Sequence, residues 1–389
     1  MFRLMLLNFS LQAAVSAISP YTQLLLRNKG YSHSLVGVIV AIGQVASIFF
    51  PVLFGMLSDR TRRTRLLFVL LALGTAVAFV PTAISDSVAV TIVCFFVASA
   101  LFWSINPMND GYENRVLGGD SSKYGVVRAM GTLGYLVCLV VFALTGFPVE
   151  TDNRSISLCT VVTLSVFCFM VLFAPKDEPR NTGMQTDTQG ILEEKGRFFS
   201  FDWFSSKFYL MMFVVALTRI AEAVIDKLLS SYMTEELNLG GRFALFVALG
   251  AASEFVMIVV GGRLMQKGKV SAYGLIVLSA IGMTVRLLIY RFFPTIPAFI
   301  VAQLLHACTF GALHIGVSKF VAQNVNESHY SLAMSFYWAI ATNLPEMIGV
   351  LAGGFVIDIF GYGTLFASYV VFPVLALVIC LANRRKLSI

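Results

Sequence analysis

Charged residues inside otherwise apolar stretches are the residues with the clearest capacity for chemistry in this sequence. Eight of them are Asp110, Arg128, Arg219, Glu222, Asp226, Glu254, Arg286 and Glu346. A charge at the centre of a membrane-spanning helix costs roughly 2.5 to 3.5 kcal/mol on insertion scales. Such residues normally face a partner or a water-filled path. The pattern therefore predicts a transporter rather than a membrane anchor.

Polar side chains also recur at helical spacing. Steps of four, three, four and three residues place one set on a single helix face, and its members are Ser99, Trp103, Asn106, Asp110 and Glu113. A similar stripe near the N-terminus includes Gln12, and a third contains Arg219, Glu222 and Asp226. We interpret these stripes as the lining of a polar cavity. Hydrogen bonding between neighbouring helices is the alternative.

The histidines and cysteines do not have the spacing of a metal or catalytic site. The four histidines are scattered along the chain, and all six cysteines fall inside apolar stretches without a CxxC pair. No HExxH, GxSxG or phosphate-loop pattern occurs. We predict no enzyme activity, catalytic residue, metal site or cofactor. By itself, His306 is equally consistent with a satisfied core histidine and with a site residue.

The composition identifies the elements that must position these residues. Hydrophobic residues make up 58% of the 389 residues, charged residues make up 13%, and the mean hydropathy is +0.82, which excludes a soluble globule. Runs of about 20 apolar residues predict an all-α membrane protein with twelve transmembrane helices. The spans lie near 4–26, 35–57, 66–84, 88–117, 123–147, 156–174, 207–233, 243–265, 271–291, 296–322, 331–357 and 362–382.

Lys and Arg residues near the helix ends predict the orientation. With both termini in the cytoplasm, seventeen of them lie on cytoplasmic segments and five on the opposite side, in agreement with the positive-inside rule. The net charge of +7 is therefore a signal of topology and not of nucleic-acid binding. We predict a monomeric, multi-pass protein of the cell (inner) membrane. Its expected partners are the lipid bilayer, a small-molecule solute and a proton.

The longest polar interval divides the twelve spans into two groups of six. We predict an N-terminal six-helix bundle at 1–174, a cytoplasmic linker at 175–206 and a C-terminal six-helix bundle at 207–389. The loops Gly55–Arg65 and Gly262–Lys269 occupy the same place in each half and share a Gly, a Leu two residues later and cations. Such a repeat predicts a solute site between the halves, near the middle of the membrane.

The loop after the second span resembles the signature loop of the major facilitator superfamily, Gly-x-x-x-Asp-Arg-x-x-Arg followed by Arg or Lys. It keeps Gly55, Asp59, Arg60 and Arg63 and lacks one basic residue at its end. The resemblance implies the facilitator fold and alternating access. An acid and several cations at helix ends can form a latch that breaks when the protein rocks. A loop that only set topology would need neither the Gly nor the Asp.

The fourth and fifth spans are similar to those of the oligosaccharide/proton symporters. The runs that carry this resemblance are Pro107–Asp110 and Tyr124–Tyr135. In that family an acid on the fourth helix, an Arg on the fifth and an aromatic residue seven positions later bind the sugar. The resemblance implies these roles for Asp110, Arg128 and Tyr135, with Tyr135 in place of the usual Trp.

The second half continues the same resemblance. It implies that Glu254 and His306 join the solute site and that Arg286 balances a coupling charge. Two positions depart from the family, because Thr309 replaces an acid and Gln303 replaces a Lys. The identity of the proton-coupling residue therefore does not transfer from the family to this chain.

These observations predict symport of a proton with a small polar organic solute, a sugar or glycoside. Desolvation favours the protonated form of a carboxyl group, and we take Glu254 as the first candidate carrier, Glu346 as the second, and the pair Glu222 and Asp226 next. Nucleoside or aromatic-acid symport and uncoupled facilitation are alternatives. A receptor or assembly protein that shares the fold but no longer transports belongs to a different class.

Overall fold

The computed structural model describes residues 1–118, 121–176, 204–326 and 329–387, and every long regular element in these ranges is a helix. The helices, numbered in chain order, are α1 Phe2–Ile18, α2 Tyr21–Asn28, α3 His33–Thr61, α4 Thr64–Ile84, α5 Val88–Val116, α6 Ser121–Thr145, α7 Asn153–Phe173, α8 Ser206–Glu235, α9 Phe243–Gln266, α10 Ala272–Phe292, α11 Ile296–Leu304, α12 Ala312–Asn324, α13 Tyr330–Phe336, α14 Leu344–Tyr369, α15 Val371–Ala382 and α16 Arg384–Leu387. Most of the predicted linker lies outside the described residues.

Eleven segments of the described chain are long and apolar enough to cross a membrane. The sequence predicts twelve, and the difference arises at the C-terminal end, where one segment runs over 332–382. A straight helix of that length would be about 77 Å long, more than twice the roughly 30 Å hydrocarbon core. Inside it, Gly361 has φ 76° and ψ 173°, which is not helical. The predicted boundary between the last two spans falls next to this residue.

Local sequence fixes where several helices begin. Ser32 accepts a hydrogen bond from the backbone N–H of Leu35 at the start of α3, and Asp152 accepts from two backbone N–H groups at the start of α7. Ser205 and Ser271 cap α8 and α10 in the same way. These side chains satisfy donors that have no partner within the helix.

The helices form two groups that meet along α3, α6, α9 and α14. In the first group α1 packs against α6 and α7, and α5 packs against α3 and α4. In the second, α8 packs against α14 and α15, and α10 packs against α12. Contacts of α3 with α14 and of α6 with α9 join the groups. The predicted division at the linker remains a prediction, and it agrees with this grouping.

Side chains join the two groups at one end of the bundle, which we call the sealed face: residues 27–34, 235–243 and 354–362. Glu235 receives a hydrogen bond from Arg27 at 2.8 Å, lies 3.1 Å from the His33 Nε2 atom, and accepts from the Tyr362 hydroxyl at 3.0 Å. A Cβ at Gly354 would collide with the His33 carbonyl. The backbones therefore approach closely enough to exclude solvent here.

Asp358 of α14 makes a further contact across the sealed face. Its two carboxylate oxygens accept hydrogen bonds from the backbone N–H groups of His33 and Ser34, at 2.9 and 2.7 Å. These N–H groups open α3, so a carboxylate from the second group caps a helix of the first. The negative charge also interacts favourably with the positive end of the helix dipole.

Candidate functional site

A cavity lies between the two groups of helices. Three residues of the predicted polar stripes line it, Ser99 and Trp103 from α5 and Asp226 from α8. One turn further along the α5 stripe, Asn106 accepts a hydrogen bond from the Gln12 amide of α1 at 2.9 Å. This hydrogen bond joins the polar stripes of α1 and α5.

Asp110 and Arg128 are neighbours in the structure, on α5 and α6. The Arg128 Nη1 atom lies 3.4 Å from the Asp110 Oδ1 atom, and both side chains are partly exposed, at 46% and 37%. Such an exposed and loosely aligned pair contributes little stability. Both groups remain partly accessible to a ligand.

Two more polar residues of the predicted site lie in the same group of helices. Tyr135 is half-buried and packs against the core beside α1, and it lies within electrostatic range of Glu254 and Asp226. Glu113, at the end of the α5 stripe, is fully buried and accepts hydrogen bonds from Asn109 at 2.8 Å and Asn8 at 3.4 Å. The helical stripe in the sequence includes Glu113, but only the structure identifies its amide partners.

A fully buried arginine organises a cluster of charges in the second group of helices. Arg219 donates to Glu222 at 2.7 Å and to the Tyr337 hydroxyl at 2.9 Å, and its guanidinium lies 4.7 Å from the centre of the Phe310 ring. Glu346 is 3.9 Å from the same guanidinium. Arg219 and Glu222 have no exposed surface. Two carboxyl groups thus share one cation in a dry site, and the second Glu222 oxygen, Oε1, has no hydrogen-bond partner.

The helix that carries Tyr337 is locally widened. Residues Tyr337–Asn343 and Ala307–Gly311 form π-helical turns, which are rare and occur frequently at functional sites. Phe310 and Tyr337, the two aromatic neighbours of Arg219, both lie in these turns. Residue spacing in the sequence does not signal π turns, because their hydrogen-bond pattern depends on the packing around them.

Arg286 lies at the centre of a second buried cluster. It is 2% exposed and donates to the His306 Nδ1 atom at 3.0 Å, to Thr309 at 3.3 Å and to Gln303 at 3.2 Å. Within the described residues no carboxylate lies within ion-pair distance of it. Gln303 and Thr309, the two departures from the family pattern, are therefore the neutral partners of this arginine. Their departure from the pattern is the feature of the sequence that could have indicated this role.

The tautomer of His306 follows from its contact with Arg286. A guanidinium can only donate, so the Nδ1 atom accepts and the neutral ring carries its proton on Nε2, 3.5 Å from Glu254. Donor atoms of Glu222, Asp226 and His306 lie within 4.8 Å of one another. A protonated Nε2 and a nearby guanidinium oppose a metal ion here, and the cluster suits a proton better.

The predicted latch residues lie at the other end of the bundle, in the last two turns of α3 and at Arg63, which directly precedes α4. Asp59 forms an ion pair with Arg115 of α5 at 2.7 Å, which is a contact inside the first group of helices. Gly55 has open space around it. The side chains of Arg60 and Arg63 are exposed and form no ion pair with another described residue. This end has no cross-group ion pair among the residues that the structure describes.

A bundle of membrane-competent helices around a polar cavity with buried charges defines a membrane transport protein. The chain belongs to the MFS_1 like family, whose model matches residues 1–368. It is therefore a transporter of the major facilitator superfamily and not an enzyme, which confirms the resemblance read from the loop at Gly55 and from the fourth and fifth spans.

Relatives and solved structures give the same class. The chain is 24% identical over 370 residues to a protein of Escherichia coli named "Probable 3-phenylpropionic acid transporter", covering 92% of this chain and 90% of that one. It is 20% identical over 381 residues to a maltose permease of Geobacillus stearothermophilus, covering 96% and 92%. A mutant of the nucleoside transporter NupG superposes with a TM-score of 0.81 at 13% identity, over 99% of both chains, which shows a shared fold.

Proposed function

We propose that this protein couples the uptake of a small, uncharged polar solute to a proton by alternating access, and that the solute is a sugar or glycoside. The observation that carries the proposal is the balance of charge at the site. The acidic residues outnumber the cationic ones, six to four. The acids are Asp110, Glu113, Glu222, Asp226, Glu254 and Glu346, and the cations are Arg128, Arg219, Lys227 and Arg286. An excess of negative charge disfavours an anionic solute and favours protons.

The proton site is best supported in the Arg219 cluster. Arg219 is the one cation among the described residues within ion-pair distance of both Glu222 and Glu346, so ionising both acids would leave one carboxylate poorly compensated in a buried site, which is unfavourable. A proton on one of the two removes this charge. Glu254, the first candidate from sequence, has 22% of its side chain exposed and is less desolvated. We therefore rank Glu222 and Glu346 ahead of Glu254.

The membrane arrangement belongs to the same proposal. Twelve spans, with Gly361 separating the last two, place both termini on one side, and the Lys and Arg count assigns that side to the cytoplasm. The cavity would then open inward past Asp110 and Arg128, while the sealed face points outward. We propose a monomer of the cell (inner) membrane built from bundles 1–174 and 207–389.

A nucleoside is the second candidate solute. Trp103 and the rings of Phe79, Phe95 and Phe102 line the cavity, and aromatic faces can stack on a planar base as well as on the apolar face of a sugar. The excess of carboxylates argues against an aromatic acid, although one relative carries such a name.

Flux in proteoliposomes tests the proposal. With methyl α-glucoside or uridine as the solute, an acidic exterior or an inside-negative potential should each drive accumulation, since 100 mV adds about 2.3 kcal/mol per co-transported charge. Flux that ignores both gradients would make the protein an uncoupled facilitator. A protein that binds a solute of the panel but transports none would be a receptor, and one that neither binds nor transports any would contradict the proposed solute class.

A further inference from the structure

Asp226 and Lys227 of α8 are two adjacent charged residues that line the cavity. Among the described residues, they are the only ones from the second group of helices to do so, because the remaining wall comes from α1 to α5 and their connections. Asp226 is exposed and Lys227 is half-buried. Neither forms an ion pair or hydrogen bond with another described residue.

Two unpaired charges near the middle of a membrane require an explanation. Adjacent residues of an α-helix point about 100° apart, so Asp226 and Lys227 are held away from each other. When the cavity closes around a solute, water leaves and both groups lose solvation, which is unfavourable unless new partners replace the water. Since Asp226 and Lys227 line the cavity, a solute inside it can supply these new partners.

Gln23 presents an unpartnered group in the wall that faces these charges. It is 4% exposed, and its carbonyl oxygen accepts from the Ser230 hydroxyl and the Ser231 backbone N–H. Its amide nitrogen has no acceptor. A buried donor without a partner is destabilising, and Gln23 lines the same cavity as Asp226 and Lys227.

We propose that Asp226 and Lys227 bind the solute directly and are its main contacts on the second group of helices, in place of Glu254 and His306. This inference rests on the proposed function. The Asp226 carboxylate accepts from two adjacent hydroxyl groups of an uncharged ring, Lys227 donates to a ring or hydroxyl oxygen, and Trp103 covers the apolar face of the ring. The solute class is a neutral ring with a vicinal diol.

The position of this pair connects the solute to the proton site. Asp226 follows Glu222 by one helical turn, and the two carboxyl groups interact electrostatically. Lys227 interacts electrostatically with Glu346, in this case with attraction in place of repulsion. A solute that neutralises the hydrogen-bonding capacity of Asp226 and Lys227 therefore changes the field at both proton-carrying candidates, which provides a physical route for coupling.

Equilibrium binding to the purified full-length protein tests the inference. The probes are methyl α-glucoside with its 2,3-dideoxy analogue, and uridine with 2′,3′-dideoxyuridine. Asp226→Asn and Lys227→Gln should each weaken binding of the parent solute by about 10- to 100-fold, as expected for a hydrogen bond to a charged group. The dideoxy analogue should lose a similar factor with the wild-type protein and almost nothing further with Asp226→Asn.

Matched controls remove a charge elsewhere. Glu236→Gln and Lys319→Gln, both at exposed positions, should bind the parent solute within about threefold of wild type. Parent-solute binding within threefold of wild type in Asp226→Asn and Lys227→Gln would overturn the inference while the proposed function stands. If removal of the diol from the solute weakened binding by the same factor in the wild type and in Asp226→Asn, the proposed role of Asp226 would be overturned. Failure of the wild type to bind any probe would overturn the proposed function as well.

Discussion

The two groups of helices use the same chemical groups in opposite environments. In the first, Arg128 and Asp110 are 3.4 Å apart and more than a third exposed. In the second, Arg219 and Glu222 are 2.7 Å apart and fully buried, with Glu346 nearby. A guanidinium beside a carboxylate can therefore be a loose contact that a solute replaces, or a fixed part of the core that holds a proton. Burial, more than residue type, decides which.

The largest expected effect is on stability, and it should separate the two arginines. Arg219→Ala removes the cation that lies within ion-pair distance of both Glu222 and Glu346 and should lower the free energy of unfolding by about 3 to 5 kcal/mol. Arg128→Ala should lower it by no more than about 1 kcal/mol. Thermal unfolding in detergent measures both.

A second substitution checks the cause. Adding Glu222→Gln to Arg219→Ala removes the unbalanced charge and should recover part of the lost stability. If Arg219→Ala were as stable as Arg128→Ala, the proposed difference in stability between the buried and the exposed arginine–carboxylate pairs would be wrong.

Solute binding should show the reverse order. Asp110→Asn and Arg128→Ala each remove a group that is available to the open cavity, and each should weaken binding about 100-fold, the loss of a charge-assisted hydrogen bond. The variants should still give a monodisperse peak in size-exclusion chromatography. Wild-type affinity in either variant would show that this exposed pair is not part of the solute site.

Proton coupling should distinguish Glu222 from Glu254, two acids of the second group of helices. Glu222→Gln should abolish uptake driven by a pH gradient while solute exchange across the membrane continues, because the amide cannot carry a proton. Glu254→Gln should keep the response to the pH gradient. The opposite result would return the coupling role to Glu254, the residue that the sequence favours.

The smallest effect concerns Asp59, which is 65% exposed and pairs with Arg115. Asp59→Ala should slow the interconversion of the two access states by a few-fold, since an exposed ion pair contributes at most about 1 kcal/mol. Solute affinity should stay within threefold. Separate measurements of exchange rate and equilibrium binding decide this, and unchanged exchange would mean that the loop serves only topology.

Much of the site could be predicted from sequence because helical spacing is local information. The stripe from Trp103 to Asp110 and the cluster of Arg219 with Glu222 each lie on one helix, where residues three or four apart must be neighbours. The family resemblance implies the solute-binding roles of Asp110 and Arg128. Partners on different helices were missed, as with Tyr337 beside Arg219.

The sealed face was missed for the same reason. In the sequence, Arg27 is one of the five cations on the side opposite the cytoplasm, and His33 is one of four scattered histidines. Their meeting with Glu235 depends on how α3, α8 and α14 pack. The number of spans also depends on local backbone geometry. The apolar run over 332–382 is continuous in hydropathy, and the non-helical backbone of Gly361 interrupts the helix within it.

Because Asp358 of the second group of helices caps α3 of the first, the start of α3 is stabilised by a residue that can move away from it. If the bundle rocks so that the sealed face opens, the backbone amides of His33 and Ser34 lose their acceptors, and water must take over both positions. Opening is then a hydration event at a helix end as well as a rigid-body motion. Its rate should respond to anything that changes the availability of water at that surface, such as an excluded osmolyte, even when no residue of the cavity is altered.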